Sequence, residues 1–126
     1  MAVTIRWMYS VSAQGGPAAA LADDFEADGY ERISVTVPQA GNLNVTVGPG
    51  TWADVTSLVI SASDMSGAIT VEPDGVAAPV PLDAPIVLLG AGAVALLGGG
   101  NASIAFTNPG AADVLVDIFV VRDATP

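Results

Sequence analysis

"IVLLGAGAVALLGGGN", Ile86 to Asn101, is the stretch on which the fold turns. Three structures compete for it: a strand entering a glycine-rich dinucleotide turn, a membrane span, or a buried strand followed by a small-residue turn. Gly90, Gly92 and Ala95 match the G-x-G-x-x-A spacing behind an apolar run, and Asp113 stands downstream as a candidate ribose-binding acid. That chemistry needs a helix starting at the second glycine, so that its first amides hold pyrophosphate. Gly98, Gly99 and Gly100 oppose such a helix, each costing about 1 kcal/mol relative to Ala. Asn108-Pro109-Gly110 interrupts the chain again a few residues later. A membrane span needs about 20 mainly apolar residues. The uncharged run from Ala84 to Asn101 holds five glycines and has Pro85 at its start. The expectation is therefore a buried strand, Ile86–Leu89, a flexible turn, and Ala95–Leu97 leading into the next strand. Glycine there lets two backbones approach closely or forms a bulge.

Outward from this stretch the chain alternates with a period of two. Val3, Ile5, Trp7, Tyr9 and Val11 share one face of a first segment, and the spacing predicts a strand half in a core. Residues 13–29 read as an acidic, Ala-rich loop with one helical turn conceivable in Ala18–Phe25. Ile33, Val35 and Val37, then Leu43, Val45 and Val47, flank the turn signal Pro38–Asn42 and read as a hairpin. Leu58, Ile60 and Ala62 make another strand, as do Ile69 and Val71. Pro79, Pro81 and Pro85 predict a stiff, extended linker. Ile104 and Phe106 precede the turn Asn108–Gly110, and Val114, Val116, Ile118 and Val120 form a last strand. That strand is apolar on most of both faces, which predicts a central position or a subunit contact. Seven or eight short antiparallel strands with frequent turns predict an all-β domain over residues 1–126, a β-sandwich or jelly roll.

Composition narrows the chemistry. Of 126 residues, 52% are apolar, with 14 Gly and 9 Pro, which suits a packed domain cut into short strands. Thirteen acids face only Arg6, Arg32 and Arg122, for a formal charge of −10. Nucleic acid and anionic membrane surfaces are disfavoured partners for such a chain. The sequence has no Cys, His or Lys. Disulfides, Cys/His zinc sites, a Ser-His-Asp triad and Schiff-base chemistry are thereby excluded. The opening "MAVTIRWMYS" does not read as a signal peptide. No cofactor is expected and no enzymatic function. A carboxylate enzyme, which would need a cleft with two convergent acids, stands third among the readings.

Some residues stand out as candidates. Asp24, Glu26 and Asp28, followed by Gly29, match the first half of a calcium-binding loop, but the closing bidentate Glu would fall at Val35. A solvated acidic loop is the plainer reading. Trp52 on a loop, with Tyr30 beside it, would form a sugar-stacking platform; a core or interface anchor is the alternative. The three arginines either pair locally with carboxylates or contact a neighbouring subunit. Arg6, Trp7, Trp52, Phe119 and Arg122 are the expected interface residues.

"SIAFTNPGAADVLVDIFVVRDATP", Ser103 to Pro126, resembles the end of small structural proteins encoded among the head genes of tailed bacteriophages and prophages. "LVISASDMSGAITVEPDG", Leu58 to Gly75, fits the same pattern of strand, turn and strand. "GGPAAALADDFEADG", Gly15 to Gly29, departs from it, so no docking mode carries over. The resemblance implies a capsid decoration or cement protein on the virion surface. Its partner would be the major capsid protein, and it would act as a homo-oligomer such as a trimer. The alternative is a carbohydrate-binding or adhesion module on a virion or cell surface.

Overall fold

A computed structural model describes residues 3–12, 14–27, 29–76 and 78–122, apart from the side chains of Phe25 and Pro49. Ten strands run through them: β1 Val3–Ser12, β2 Ala18–Ala27, β3 Gly29–Val37, β4 Gly41–Thr51, β5 Val55–Ala62, β6 Thr70–Pro73, β7 Val80–Pro81, β8 Ile86–Leu89, β9 Asn101–Asn108 and β10 Val114–Arg122. A single helical turn, α1 Ala91–Val94, continues into a 3-10 turn at Ala95–Leu97. The all-β class expected from the alternation is the one observed.

Strands β3 to β10 form two four-stranded antiparallel sheets, ordered β3-β10-β5-β8 and β4-β9-β6-β7. The pairings nest. β3 meets β10, β4 meets β9, β5 meets β8, and β6 meets β7. A long hairpin with its tip between β6 and β7 has this pairing, and rolling it up adds the contacts β5–β10 and β6–β9. The result is a jelly roll. The ten strands exceed the expected seven or eight, which included Val3–Ser12; that strand and β2 form a separate ribbon.

Three local expectations are corrected. Residues Ala18–Ala27, read as loop, are a strand paired with β1 from Val3↔Ala27 to Ser12↔Ala18. Backbone pairing to a strong β-former overrides the weak strand propensity of Ala and Asp. The segments flanking Pro38–Asn42 are not a hairpin: β3 and β4 belong to opposite sheets. Their corner is held by Gly41 N donating to the Pro38 carbonyl at 3.1 Å and Ala40 N to the Gly110 carbonyl at 3.0 Å. Ala40 takes φ +50 there. Third, the small-residue turn after Leu89 contains the helical turn α1, with Gly90 at φ 96 before it. It is one turn long, and β9 beyond it lies in the other sheet, antiparallel to its neighbours. The parallel crossover that a dinucleotide site needs is not formed.

The core lies between the sheets. Val37, Leu58, Ile60, Val116, Ile118 and Val120 face Val45, Val47, Ile69, Val71, Ile104 and Phe106 across it. Val94 of α1 is also fully buried in this cluster, with Leu97 packed against it, so the chain between β8 and β9 adds to the core. β10 is central, between β3 and β5, as its two apolar faces imply. Pro81 sits on β7, a two-residue edge strand, where a missing N–H costs least.

The glycine run after Leu97 serves close packing. Gly98 has φ +87, a conformation that disfavours any side chain. Gly100 presses on the Asp74–Gly75 turn: a Cβ there would overlap the Asp74 carbonyl and stand 2.7 Å from Gly75 N. Trp52 completes the junction, its indole N–H donating to the Asp74 carbonyl at 2.9 Å and its own amide to the Gly100 carbonyl at 3.1 Å.

Candidate interaction surface

The ribbon β1–β2 pairs with itself and with neither sheet. A rise of about 3.3 Å per residue makes it about 33 Å long. Strict alternation sorts its residues onto two faces. Val3, Ile5, Trp7, Tyr9 and Val11 lie in register with Ala27, Phe25, Asp23, Leu21 and Ala19. This face is apolar except at Asp23. Thr4, Arg6, Met8, Ser10 and Ser12 lie opposite Glu26, Asp24, Ala22, Ala20 and Ala18 on the other. Trp7 and Tyr9 stack with ring centroids 6.1 Å apart and planes 4° from parallel. Trp7 is half-buried by these local contacts, whereas Val11 is 66% exposed, Leu21 54% and Met8 81%. The first strand is therefore not half in the core, as its alternation suggested; among the described residues none of its side chains packs against the core between the sheets.

The ribbon leaves the sandwich at the Gly29 end of β3, where Arg122 is the register partner of Gly29. Two cross-strand rows cover the outer face of the sheet near this root. One runs Val87, Val59, Phe119, Arg32 and is half-buried to exposed; the other runs Leu89, Ser57, Val121, Tyr30, in which Ser57 and Val121 are buried and Tyr30 is exposed. The next row, Ser61, Asp117, Ser34, is polar. Tyr30 is 57% exposed and its ring lies 5.8 Å from that of Phe119, tilted by 39°, a favourable aromatic geometry. The outer face of the opposite sheet differs in kind: Asn42, Asn44, Thr46, Ser103 and Thr107 project from it.

Among the described residues, Arg32 and Arg122 each pair with a carboxylate. Arg122 Nη2 lies 2.6 Å from Glu31 Oε2, and Arg32 Nη2 lies 3.4 Å from Asp117 Oδ2. The Ser34 hydroxyl donates to Asp117. That bond, and less strongly the Arg32 charge, hold the Asp117 carboxyl below its usual pKa. Arg6 sits in register opposite Asp24. Local pairing is thus the state of Arg32 and Arg122, with most of the Arg32 side chain still facing solvent.

Phe119 and Trp7, two of the expected contact residues, are both partly exposed. Trp52 is not: it is 1% exposed, an anchor of the core rather than of an interface. The sugar platform of Trp52 beside Tyr30 is likewise not formed, since one ring is internal and the other external. Of the acidic candidates, Asp24 and Glu26 lie on extended β2, where alternate residues stand about 6.6 Å apart along the strand rather than converging as in a calcium loop. Asp28 lies outside the described residues. No group of three or more Asp or Glu among the described residues is placed to hold a metal ion. Nor is any helix among them long and apolar enough to cross a membrane.

Depressions lie along the ribbon, one at Arg6, Met8, Ala22 and Asp24, a second at Met8, Ser10 and Ala20. A polar one on the β4–β9–β6 face is lined by Asn44, Thr46, Glu72, Asp74 and Ser103. In it the Asp74 carboxylate accepts from Asn101 N at 2.7 Å, a structural use at the junction that Trp52 closes.

No protein-family model matches the chain, and no curated protein or solved structure is significantly similar to it.

Proposed function

We propose that the chain is a virion structural protein, one that decorates or cements the outer surface of a tailed-phage capsid by binding the major capsid protein. The observation that carries this reading is the apolar surface left uncovered on ribbon and sheet by an otherwise well-packed jelly roll. Water-exposed Met8, Val11, Leu21 and Tyr30 are surface that a partner would cover. Jelly rolls are a recurrent architecture of viral capsid proteins, and the likeness of Ser103–Pro126 to phage head proteins points the same way. The chain has no His, Cys or Lys, which suits a binding rather than a catalytic role. Its charge of −10 repels packaged nucleic acid and complements a basic shell surface. Many weak contacts repeated over a shell add up to firm attachment.

Co-sedimentation tests it. Empty, expanded shells assembled from the major capsid protein of the same virus should carry the purified protein into the pellet at saturable stoichiometry and should resist heating better once coated. Shells that pellet without it at saturating concentration contradict the proposal.

A carbohydrate-binding or adhesion module is the second reading. It is favoured by the polar depression at Asn44, Thr46, Glu72 and Ser103, because lectin domains share the architecture. Selective glycan binding abolished by Asn44→Ala would establish it in place of the first.

A further inference from the structure

We infer that the ribbon β1–β2 of one copy packs its apolar face across the apolar rows at the ribbon root of a second copy, with Asp23 of one meeting Arg32 of the other. This goes beyond the capsid reading and does not depend on it.

A two-stranded ribbon alone is marginal in water. This one is ten residue pairs long and joins neither sheet. Its persistence calls for a cover on the face of Ile5, Trp7, Tyr9, Val11 and Leu21. The same chain offers a matching surface in Val87, Val59, Phe119 and Tyr30, on the sheet end from which the ribbon departs. The opposite sheet offers Asn and Thr instead.

Charge sets the register. Asp23 is the one acid on the ribbon's apolar face, in the row of Trp7. Arg32 is the one cation in the rows at the root, in line with Phe119, and its side chain is 71% exposed despite its contact with Asp117. Elsewhere a chain of charge −10 repels its own copies. At this face the Arg32 guanidinium already lies against Asp117, so repulsion is least there.

Area sets the symmetry. A ribbon about 33 Å long and about 10 Å wide offers about 300 Å² on one face, so a one-way contact buries about 600 Å² in total. That is the size of an incidental contact, whereas a stable interface buries about 1,200–2,000 Å². Two copies that exchange ribbons reciprocally reach about 1,200 Å² at one interface, which a single one-way contact does not. The contact must therefore be exchanged within a closed oligomer.

Sedimentation velocity on the purified full chain, without shells, decides it. The wild type is expected to be a closed oligomer at micromolar concentration. Asp23→Arg and Arg32→Asp should each weaken association roughly tenfold, as every symmetry-related pair loses an attraction and gains a repulsion. The double variant Asp23→Arg with Arg32→Asp should restore it. Far-UV circular dichroism and the unfolding midpoint show that each variant is folded. A wild type that remains monomeric throughout, or a double variant no better than the singles, overturns the inference. Neither outcome bears on shell binding, which the co-sedimentation measures separately.

Discussion

Alanine placed singly at Gly98, Gly99 and Gly100 should give three different costs. At Gly100 the new Cβ would overlap the Asp74 carbonyl, standing 2.5 Å from its carbon and nearer its oxygen, against an ordinary contact of at least 3.4 Å, so one backbone must retreat by about 1 Å. The segments cannot part freely. The bonds Trp52 Nε1 to Asp74 O at 2.9 Å, Trp52 N to Gly100 O at 3.1 Å, Asn101 N to Asp74 Oδ2 at 2.7 Å and Asp74 N to Ser103 O at 2.9 Å tie them together. Overpacking of this kind costs about 1–3 kcal/mol, and each bond lost adds about 1 kcal/mol. A total of about 3 kcal/mol would lower the melting temperature of a domain this size by about 10 °C. Gly98→Ala instead forces a side chain onto φ 87, ψ −159, a conformation essentially reserved for glycine, and should cost about 1–3 kcal/mol. Gly99→Ala has no heavy atom within 4 Å and should stay within about 0.5 kcal/mol of wild type. Chemical denaturation of the three variants under identical conditions reads the order directly. If Gly99→Ala cost as much as Gly100→Ala, the account of the glycine run as a site of close backbone approach would be wrong.

Other outcomes rest on named contacts. Trp52→Phe should destabilise by about 1–3 kcal/mol through the orphaned Asp74 carbonyl, and Trp52→Ala by about 3–5 kcal/mol, read as shifts in the denaturation midpoint. Asn108 is buried and bonds Val37 O at 3.2 Å, Ala112 O at 2.8 Å and Gly110 N at 2.9 Å. Asn108→Leu strands all three groups and should cost about 3 kcal/mol by the same measurement. The Asp117 carboxyl is depressed by the Ser34 hydroxyl bond. Its stabilisation is therefore present above the unfolded-state value near about 4 and is lost as pH falls through the lower folded value. Asp117→Asn should flatten the acid limb of a thermal-midpoint-versus-pH curve below about pH 4. A variant as acid-sensitive as wild type would show that Asp117 plays no part in that limb.

Much of the local structure can be seen in parity alone. Val114, Val116, Ile118 and Val120 turn inward while Leu115, Asp117 and Phe119 turn outward, as the alternation demands. Parity also places Phe119 on the candidate surface. It does not say which strands pair: Ile33 lies beside Ile118, not beside β4. Nothing local distinguishes a hairpin from a corner between sheets. The ribbon was hidden for a related reason. β2 is Ala- and Asp-rich, and it is a strand because β1 pairs along its whole length. The two tryptophans could not be told apart by composition. The capping-box turn at Thr51–Asp54 swings Trp52 into the core, and strand alternation leaves Trp7 on the ribbon. Asn108, read only as part of a turn, is buried and holds that turn from inside.

The nested pairing of β3 with β10 is the claim on which the fold and the surface both rest. The chain has no native cysteine, so paired cysteines report it cleanly. Thr36 and Leu115 are register partners on exposed faces of adjacent strands, where opposite Cα atoms lie about 4.5–5.5 Å apart, within reach of a disulfide. Thr36 and Asn42 flank the β3–β4 corner on opposite sheets, and a local hairpin would bring them together instead. Under mild oxidation, mass analysis of Thr36→Cys with Leu115→Cys should show nearly complete intramolecular bonding, and Thr36→Cys with Asn42→Cys should remain reduced. The reverse result would contradict the jelly roll.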